Sequence, residues 1–352
     1  MPSFNTLTIS HTRPQPDGVI LGFDIPDACR AEYQFIPGQY LTLRATIDNQ
    51  DVRRSYSICS SHCNEYLEVG IKRVPDGLFS NFATTLNPGD QLQVMPPEGR
   101  FVAPVGGTHN YLLIAAGSGI TPCLSIASSV LQDEPDSSIT LLYGNRTSRS
   151  IMFRNDLDNL KDRFNERFML VHILSGEQQD AELLNGRIDG TKLVRFNDSG
   201  LIDASKFDAA YLCGPKEMID NCNNALTELG IEKDNIKFEL FFTGVEPAIA
   251  KKPSSGREAT AGVPVTIIHD GSERIVQVND ETVLAAAQKA GLDLPFSCAG
   301  GMCCTCRCKV LSGETSMDVN FSLANWEIDA GFTLACQTRP SGDNVVLDFD
   351  AS

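Results

Sequence analysis

Over the first hundred residues the apolar positions come in short, β-rich runs: Thr6 to Ile9, Val19 to Phe23, Tyr40 to Ala45, Tyr66 to Ile71 and Gln91 to Met95, separated by Gly, Pro and Asp turns. Short strands with frequent turn signals predict an antiparallel barrel or sandwich. From Tyr111 the rhythm changes to buried strands, Tyr111 to Ala115, Ile139 to Tyr143, Met169 to Leu174 and Ala209 to Cys213, separated by helical stretches such as Pro122 to Leu131 and Lys216 to Leu229. That alternation predicts a parallel sheet with crossover helices. Residues 244–262, GVEPAIAKKPSSGREATAG, have no sustained apolar period and read as a flexible tether. A third module follows, with a strand pair (Val263 to His269, Arg274 to Val278), a short helix (Thr282 to Ala290, closed by Gly291) and a cysteine-rich loop. The expected division is therefore 1–105, 106–243, a linker at 244–262, and 263–352, without internal repeats.

Length agrees with that division, since 352 residues at roughly 150 per domain give two or three modules. The balance of 29 Lys and Arg against 45 Asp and Glu leaves a net charge of −16, which repels phosphate backbones and anionic lipid and argues against a nucleic-acid partner. Residues 263–352 are disproportionately acidic, with 12 acidic residues against 5 basic ones. The opening MPSFNTLTISHTRPQPDGVI lacks a basic segment followed by an apolar one, so the expected location is the cytoplasm. The apolar stretch Tyr111 to Leu131 is broken by Gly117, Gly119 and Pro122, which suits strand, turn and helix better than a membrane span.

Twelve cysteines without a secretory signal point to metal or redox chemistry rather than a disulfide framework, and six of them fall between Cys298 and Cys336. Cys298, Cys303 and Cys306 are spaced C-x4-C-x2-C, with Cys336 following, which is the plant-type [2Fe-2S] arrangement. Ala299, Gly300 and Gly301 let the loop wrap tightly and aim backbone N–H groups at the sulfurs. A zinc site is the alternative, but structural zinc usually pairs two C-x2-C knuckles and only Cys303 and Cys306 form one. Cys304 and Cys308 are rival ligands. Their structural reading puts Cys308 on a strand from Arg307 to Leu311 and Cys304 at a small-residue position of the loop.

Two further sets of residues carry nucleotide chemistry. Arg54-Ser55-Tyr56-Ser57, preceded by Pro37-Gly38-Gln39-Tyr40, matches the R-x-Y-S flavin motif of ferredoxin-reductase-like proteins. Its arginine offers a fork for the FAD pyrophosphate, its ring packs on the isoalloxazine, and its hydroxyl can hydrogen-bond near the flavin N5. Gly70, Lys72, Gly77 and Ser80 supply backbone amides, a charge and a hydroxyl at a helix start suited to phosphate. Gly117 and Gly119, with Thr121, sit between an expected strand and an expected helix, where glycines let backbone approach a nucleotide; Cys213-Gly214-Pro215 follows another strand. After the strand ending at Tyr143, Arg146 and Arg149 stand where an acidic residue would be expected for a ribose 2′-hydroxyl, favouring the 2′-phosphate of NADPH over NADH. Each of these also has a plain reading: a solvated charge, a packed ring or a strand-to-helix turn.

The segment CAGGMCCTCRCKVLSGETSMDVNFSLANWEIDAGFTLACQ, with the flavin and nicotinamide motifs upstream, resembles the phenylacetyl-CoA epoxidase reductase family over nearly the whole chain. The resemblance implies a three-module oxidoreductase: an antiparallel FAD barrel, an NAD(P)-binding α/β domain and a β-grasp ferredoxin domain. Electrons would pass from NADPH through FAD to [2Fe-2S] and on to a di-iron oxygenase that epoxidises the ring of phenylacetyl-CoA. Another oxygenase, such as a steroid or alkane hydroxylase, is the alternative acceptor. It further implies that the segment from Gly70 to Ser80 holds the flavin pyrophosphate, that Cys213 lies near the nicotinamide with Thr121 at its junction with the flavin, and that Glu239 and Phe241 close the flavin edge. Gly89 to Phe101 resembles the closing strand of the barrel. Because the cofactors carry the redox chemistry, no acid–base triad is expected. The acidic C-terminal module would dock on a basic patch of the oxygenase.

Overall fold

The computed structural model describes residues 4–241 and 262–351, which fall into two compact units. The expected tether lies outside the described residues except for Gly262.

The first unit opens with β1 (Asn5–Gln15), β2 (Gly18–Asp24), β3 (Tyr40–Ile47), β4 (Gln50–Ser57), β5 (Leu67–Lys72), α1 (Leu78–Ala83) and β6 (Gln91–Val94). These strands make one sheet of order β4-β3-β6-β1-β2-β5. The sheet curls on itself, because Ile58, next to the end of β4, bridges Val69 of β5, and the Cys59 N–H donates to Glu68 O at 2.9 Å. A closed sheet leaves no long edge for a stray strand to join. Closure therefore falls between the β4 end and β5. The stretch from Gly89 to Phe101, expected to close the barrel, instead supplies β6 inside the order, paired to β1 and β3. Alternate residues fill the barrel core, among them Leu7, Ile9, Leu41, Leu43, Val69 and Ile71.

The same unit continues through β7 (Asn110–Ala116), α2 (Ile120–Asp133), β8 (Ser138–Asn145), α3 (Arg154–Arg163), β9 (Phe168–Leu174), α4 (Gly190–Asp198), β10 (Ala209–Gly214), α5 (Lys216–Glu228) and β11 (Ile236–Leu240). The strands form a parallel sheet of order β11-β10-β7-β8-β9. Its strands read as unbroken apolar runs because both faces are covered. Leu113 and Ala115 join the core under α2 and α3, while Leu112 and Ile114 join the core under α4 and α5. Strand order reverses at β7: the chain moves to β8 and β9 on one side, then to β10 and β11 on the other. Such switch points leave a crevice beyond the carboxyl ends of the two central strands, where open α/β sheets bind ligands.

The second unit contains β12 (Val263–His269), β13 (Ser272–Val278), α6 (Val283–Lys289), β14 (Arg307–Ser312), β15 (Thr315–Met317), α7 (Asn325–Asp329), β16 (Phe332–Leu334), β17 (Thr338–Pro340) and β18 (Val345–Asp348). Its mixed sheet of order β13-β12-β18-β14-β16 grasps α6, whose Val283, Leu284, Ala286 and Ala287 are buried in the core. Thr282 caps α6 by accepting from the Ala285 N–H at 3.4 Å, and Gly291 ends the helix at φ 79°. Sequence patterning anticipated both ends. The buried Glu327 of α7 accepts from Arg307 Nε at 3.0 Å, tying α7 to the residue that follows Cys306.

Candidate functional site

In the C-terminal unit the cysteine loop is bent by three left-handed residues, Ala299 at φ 48°, Gly301 at 77° and Cys304 at 58°. Gly301 combines a left-handed backbone with a tight fit, since an added Cβ would lie 3.1 Å from Gln337 Cγ and 3.2 Å from Val319 O. These bends turn amides inward. Gly300 and Met302 N–H groups donate to Cys298 Sγ, each at 3.4 Å, and the Cys298 N–H donates to Cys303 Sγ at 3.4 Å. Cys298 and Cys303 are hydrogen-bonded to each other, as are Cys306 and Cys336. The bond with Cys303, helped by the backbone donors, pulls the Cys298 thiol below its ordinary value. Cys336 is lowered in the same way by Cys306, while the partners Cys303 and Cys306 are pushed up. Charge on Cys303 opposes ionisation of Cys306, and charge on Cys298 opposes that of Cys336, so the two pairs lie near one another. The four sulfurs thus gather in one place, with N–H donors on Cys298, Cys303 and Cys336.

Cys308 lies on β14, fully buried in the apolar core, and burial pushes its thiol up. Cys304 is half-buried and packs against the same core. Sequence reasoning missed Gln337, whose Nε2 donates to Ala299 O at 3.1 Å and to Cys336 Sγ at 3.6 Å. Its position beside the last cysteine was the available signal.

In the first unit the nucleotide motifs gather at the carboxyl ends of β7 and β10, where the sheet order reverses. Gly119 has no room for a side chain, since a Cβ would sit 2.1 Å from Cys213 O. Gly117 is left-handed at φ 55°, with its carbonyl accepting from the Tyr143 hydroxyl at 3.0 Å, and a Cβ on it would lie 3.6 Å from Lys72 Nζ. Thr121 is buried and donates to Ser118 O at 3.0 Å. Gly214 packs its bare α-carbon against Met218 and Ala116, and Pro215 is the residue just before α5. Asn145, at the end of β8, keeps a buried Nδ2 with no hydrogen-bond partner, a polar atom suited to a ligand.

The barrel reaches the same place through Ser57, whose buried hydroxyl donates to Glu239 Oε2 at 3.0 Å. Glu239 is paired in register with Cys213 on the next strand. Burial raises the Glu239 carboxyl to about 7, with the Ser57 bond opposing the shift, and burial also pushes the Cys213 thiol up. Phe241 packs on the core beside this group.

The remaining expected residues are distributed as follows. Tyr56 is half-buried with its ring 5.7 Å from that of Phe79, and Arg54 on the same strand is exposed. At Gly70 an added Cβ would meet Phe153 at 2.6 Å and Thr121 at 2.7 Å, so this glycine serves close packing of the barrel on the parallel sheet. Gly77 precedes α1, and the Ser80 hydroxyl closes that turn by accepting from the Val74 N–H at 3.1 Å and donating to Gly77 O at 3.3 Å. Arg146 and Arg149 follow β8, Arg146 exposed and Arg149 beyond it in the same turn. Between them Ser148 donates from its N–H at 2.7 Å and its hydroxyl at 2.9 Å to Glu177, an acid that the motif reading did not include.

Three domain families match the chain: an oxidoreductase FAD-binding domain over residues 8–102, an oxidoreductase NAD-binding domain over 113–224, and a 2Fe-2S iron-sulfur cluster binding domain over 267–341. A component of the 1,2-phenylacetyl-CoA epoxidase of Escherichia coli (strain K12) is 43% identical over 357 residues, covering 100% of this chain and 99% of that relative. The chain belongs to the phenylacetyl-CoA epoxidase reductase family. This family member is also 34% identical to the ferredoxin reductase component of 3-ketosteroid-9-alpha-monooxygenase from Mycobacterium tuberculosis (strain ATCC 25618 / H37Rv), across 94% of this chain and 89% of the relative. Among solved structures, phthalate dioxygenase reductase shares the fold, with a TM-score of 0.58 and 22% identity over 98% of both chains. The epoxidase reductase family member is thus an NAD(P)H-dependent electron-transfer oxidoreductase with FAD, nicotinamide and [2Fe-2S] domains. Its residues fit these groups: four convergent thiols under backbone donors suit a thiolate-held cluster, and the glycine-lined crevice with an orphan amide suits a nucleotide. None of the twelve cysteines is in a disulfide. Among the described residues no helix is long and apolar enough to cross a membrane.

Proposed function

We propose that this chain is the NADPH-dependent reductase component of an oxygenase, acting in the cytoplasm, with phenylacetyl-CoA 1,2-epoxidase as its acceptor. The observation that carries this reading is the full-length 43% identity to the E. coli relative. The proposed domain limits are 1–105 for FAD, 106–243 for nicotinamide and 263–352 for the cluster. When bound, FAD accepts electrons in pairs from the nicotinamide, and the cluster passes them singly.

Cys298, Cys303, Cys306 and Cys336 would hold the cluster, with Gly300, Met302 and Gln337 donating to its thiolates. Arg54, Tyr56, Ser57, Gly70, Lys72, Gly77 and Ser80 would frame FAD. Of these, Ser57 presents its hydroxyl from the barrel wall, and Lys72 brings its charge to the Gly117 turn. Gly117, Gly119, Thr121, Cys213, Gly214 and Pro215 would shape the nicotinamide crevice. Glu239, its carboxyl raised to about 7 by burial, accepts from the Ser57 hydroxyl through Oε2. Arg146 and Arg149 would favour the 2′-phosphate of NADPH. Glu177 works against that preference by occupying the Ser148 amide and hydroxyl.

The test is reconstitution with the phenylacetyl-CoA oxygenase. Turnover should depend on this chain, show a higher kcat/KM for NADPH than for NADH, and weaken as salt rises, because the acidic C-terminal module docks by charge. Absence of turnover with that oxygenase, alongside turnover with a steroid hydroxylase, would favour the second reading, which rests on the 34% relative.

A further inference from the structure

Away from the cofactor sites, a short loop of the barrel meets the last turn of α2. His62 Nε2 lies 2.7 Å from Asp133 Oδ2, Cys63 Sγ lies 3.1 Å from Asp133 Oδ1, and the same Nε2 lies 3.6 Å from Cys63 Sγ. All three ligand atoms fall within 4.8 Å of one another. We propose that His62, Cys63 and Asp133 form a zinc site that clips the β4–β5 loop of the barrel to α2 of the nucleotide-binding domain.

The geometry separates a metal site from a catalytic dyad. In an acid–base relay the imidazole uses one nitrogen for the carboxylate and the other for the thiol. At this place a single nitrogen, Nε2, lies near both, so nitrogen, sulfur and a carboxylate oxygen crowd one spot instead of forming a chain. With zinc bonds of about 2.0–2.3 Å, tetrahedral ligand atoms stand roughly 3.4–3.6 Å apart. The sulfur–nitrogen edge already has that length, while the carboxylate meets the pair through different oxygens, Oδ2 at 2.7 Å from Nε2 and Oδ1 at 3.1 Å from Sγ, and turning it to offer one oxygen to both is a rotamer adjustment of partly exposed side chains.

The support around the three is built in. Ser129 accepts from the His62 N–H at 3.2 Å, Ser61 accepts from the Cys63 N–H at 3.3 Å, and the Ser61 hydroxyl donates to Gln132 at 3.1 Å. Ser129, Gln132 and Asp133 are spaced at i, i+3 and i+4, so one face of α2 both fixes the loop and supplies the carboxylate. Thiolate, imidazole and carboxylate are the donor types zinc takes, and three protein ligands leave a fourth position for water. Binding replaces the thiol proton of Cys63, which passes to solvent as the zinc–sulfur bond forms. It also places the imidazole proton on His62 Nδ1, which is buried without a partner. The site is therefore weaker, by roughly 10–100-fold, than one whose histidine is oriented by a second acceptor.

The test uses holoprotein equilibrated by dialysis against buffer containing zinc, with zinc and iron measured together. Wild type should keep about one zinc per chain with its iron unchanged, while Cys63→Ser and Asp133→Asn keep about tenfold less. Zinc should also slow alkylation of Cys63 by about tenfold when present at ten times its dissociation constant, and leave the half-buried Cys29 unprotected. Equal zinc in wild type and Cys63→Ser overturns the proposal, as does an unchanged Cys63 alkylation rate in wild type, a measurement that needs no folded variant.

Discussion

The cysteine loop and the crevice at the β7–β10 switch point both bring together residues for redox cofactors, yet they are assembled by different means. In the loop three of the four gathered sulfurs come from nine consecutive residues, 298–306, and their convergence follows from local backbone bends at Ala299, Gly301 and Cys304. In the crevice, Ser57, Gly119, Cys213 and Glu239 come from a barrel strand, a strand-to-helix turn and two neighbouring parallel strands. Nothing local brings them together; sheet order does. A local site is thus sensitive to the identity of each donor, whereas an assembled one is sensitive to packing that sets the distance between elements.

That contrast makes its largest prediction at Cys306. Replacing it with alanine should lower iron content by about tenfold or more, because Cys308 is sealed in the apolar core and Cys304 packs against that core, while flavin-dependent reduction of ferricyanide stays within about twofold. An equal loss of both activities would show that the two regions are not separable. In the crevice, Gly119→Ala should lower kcat/KM for NADPH by about 100-fold and destabilise the fold by about 1–3 kcal/mol, because the new methyl meets the Cys213 carbonyl backbone. Kinetics and chemical denaturation check the two parts, and wild-type values for both would mean that the turn yields more easily than its packing indicates.

Glu239→Gln has a smaller, pH-dependent effect. The folded-state carboxyl sits near 7 against an ordinary 4.5, so the folded protein binds this proton more tightly than the unfolded chain does. The associated stability is fully present below about 4.5 and is lost as pH rises through about 7. Wild-type Tm should therefore fall more steeply than that of Glu239→Gln across this window, and parallel curves would contradict the raised carboxyl. The smallest effect is expected at Cys304, where serine should leave the visible absorption of the cluster intact; bleaching would make Cys304 a ligand and break the local reading of the loop.

Composition and patterning by themselves determined the three-module order, the change from antiparallel to parallel architecture near Tyr111, and the limits of α6, because burial periodicity and capping residues act over a few positions. The C-x4-C-x2-C spacing placed Cys298, Cys303 and Cys306 in one loop for the same reason. Tertiary structure alone decided that β6 lies inside the barrel sheet, that closure runs through Ile58 and Val69, and that Gly70 packs against Phe153 and Thr121. It also decided that Glu177 reaches Ser148 and that Ser57 meets Glu239 across 182 residues of chain. Strand pairing and domain packing depend on contacts distant in sequence, whose partners no local pattern encodes. The chemistry of each residue was legible in the chain, whereas its neighbours were fixed by the order of strands in the two sheets.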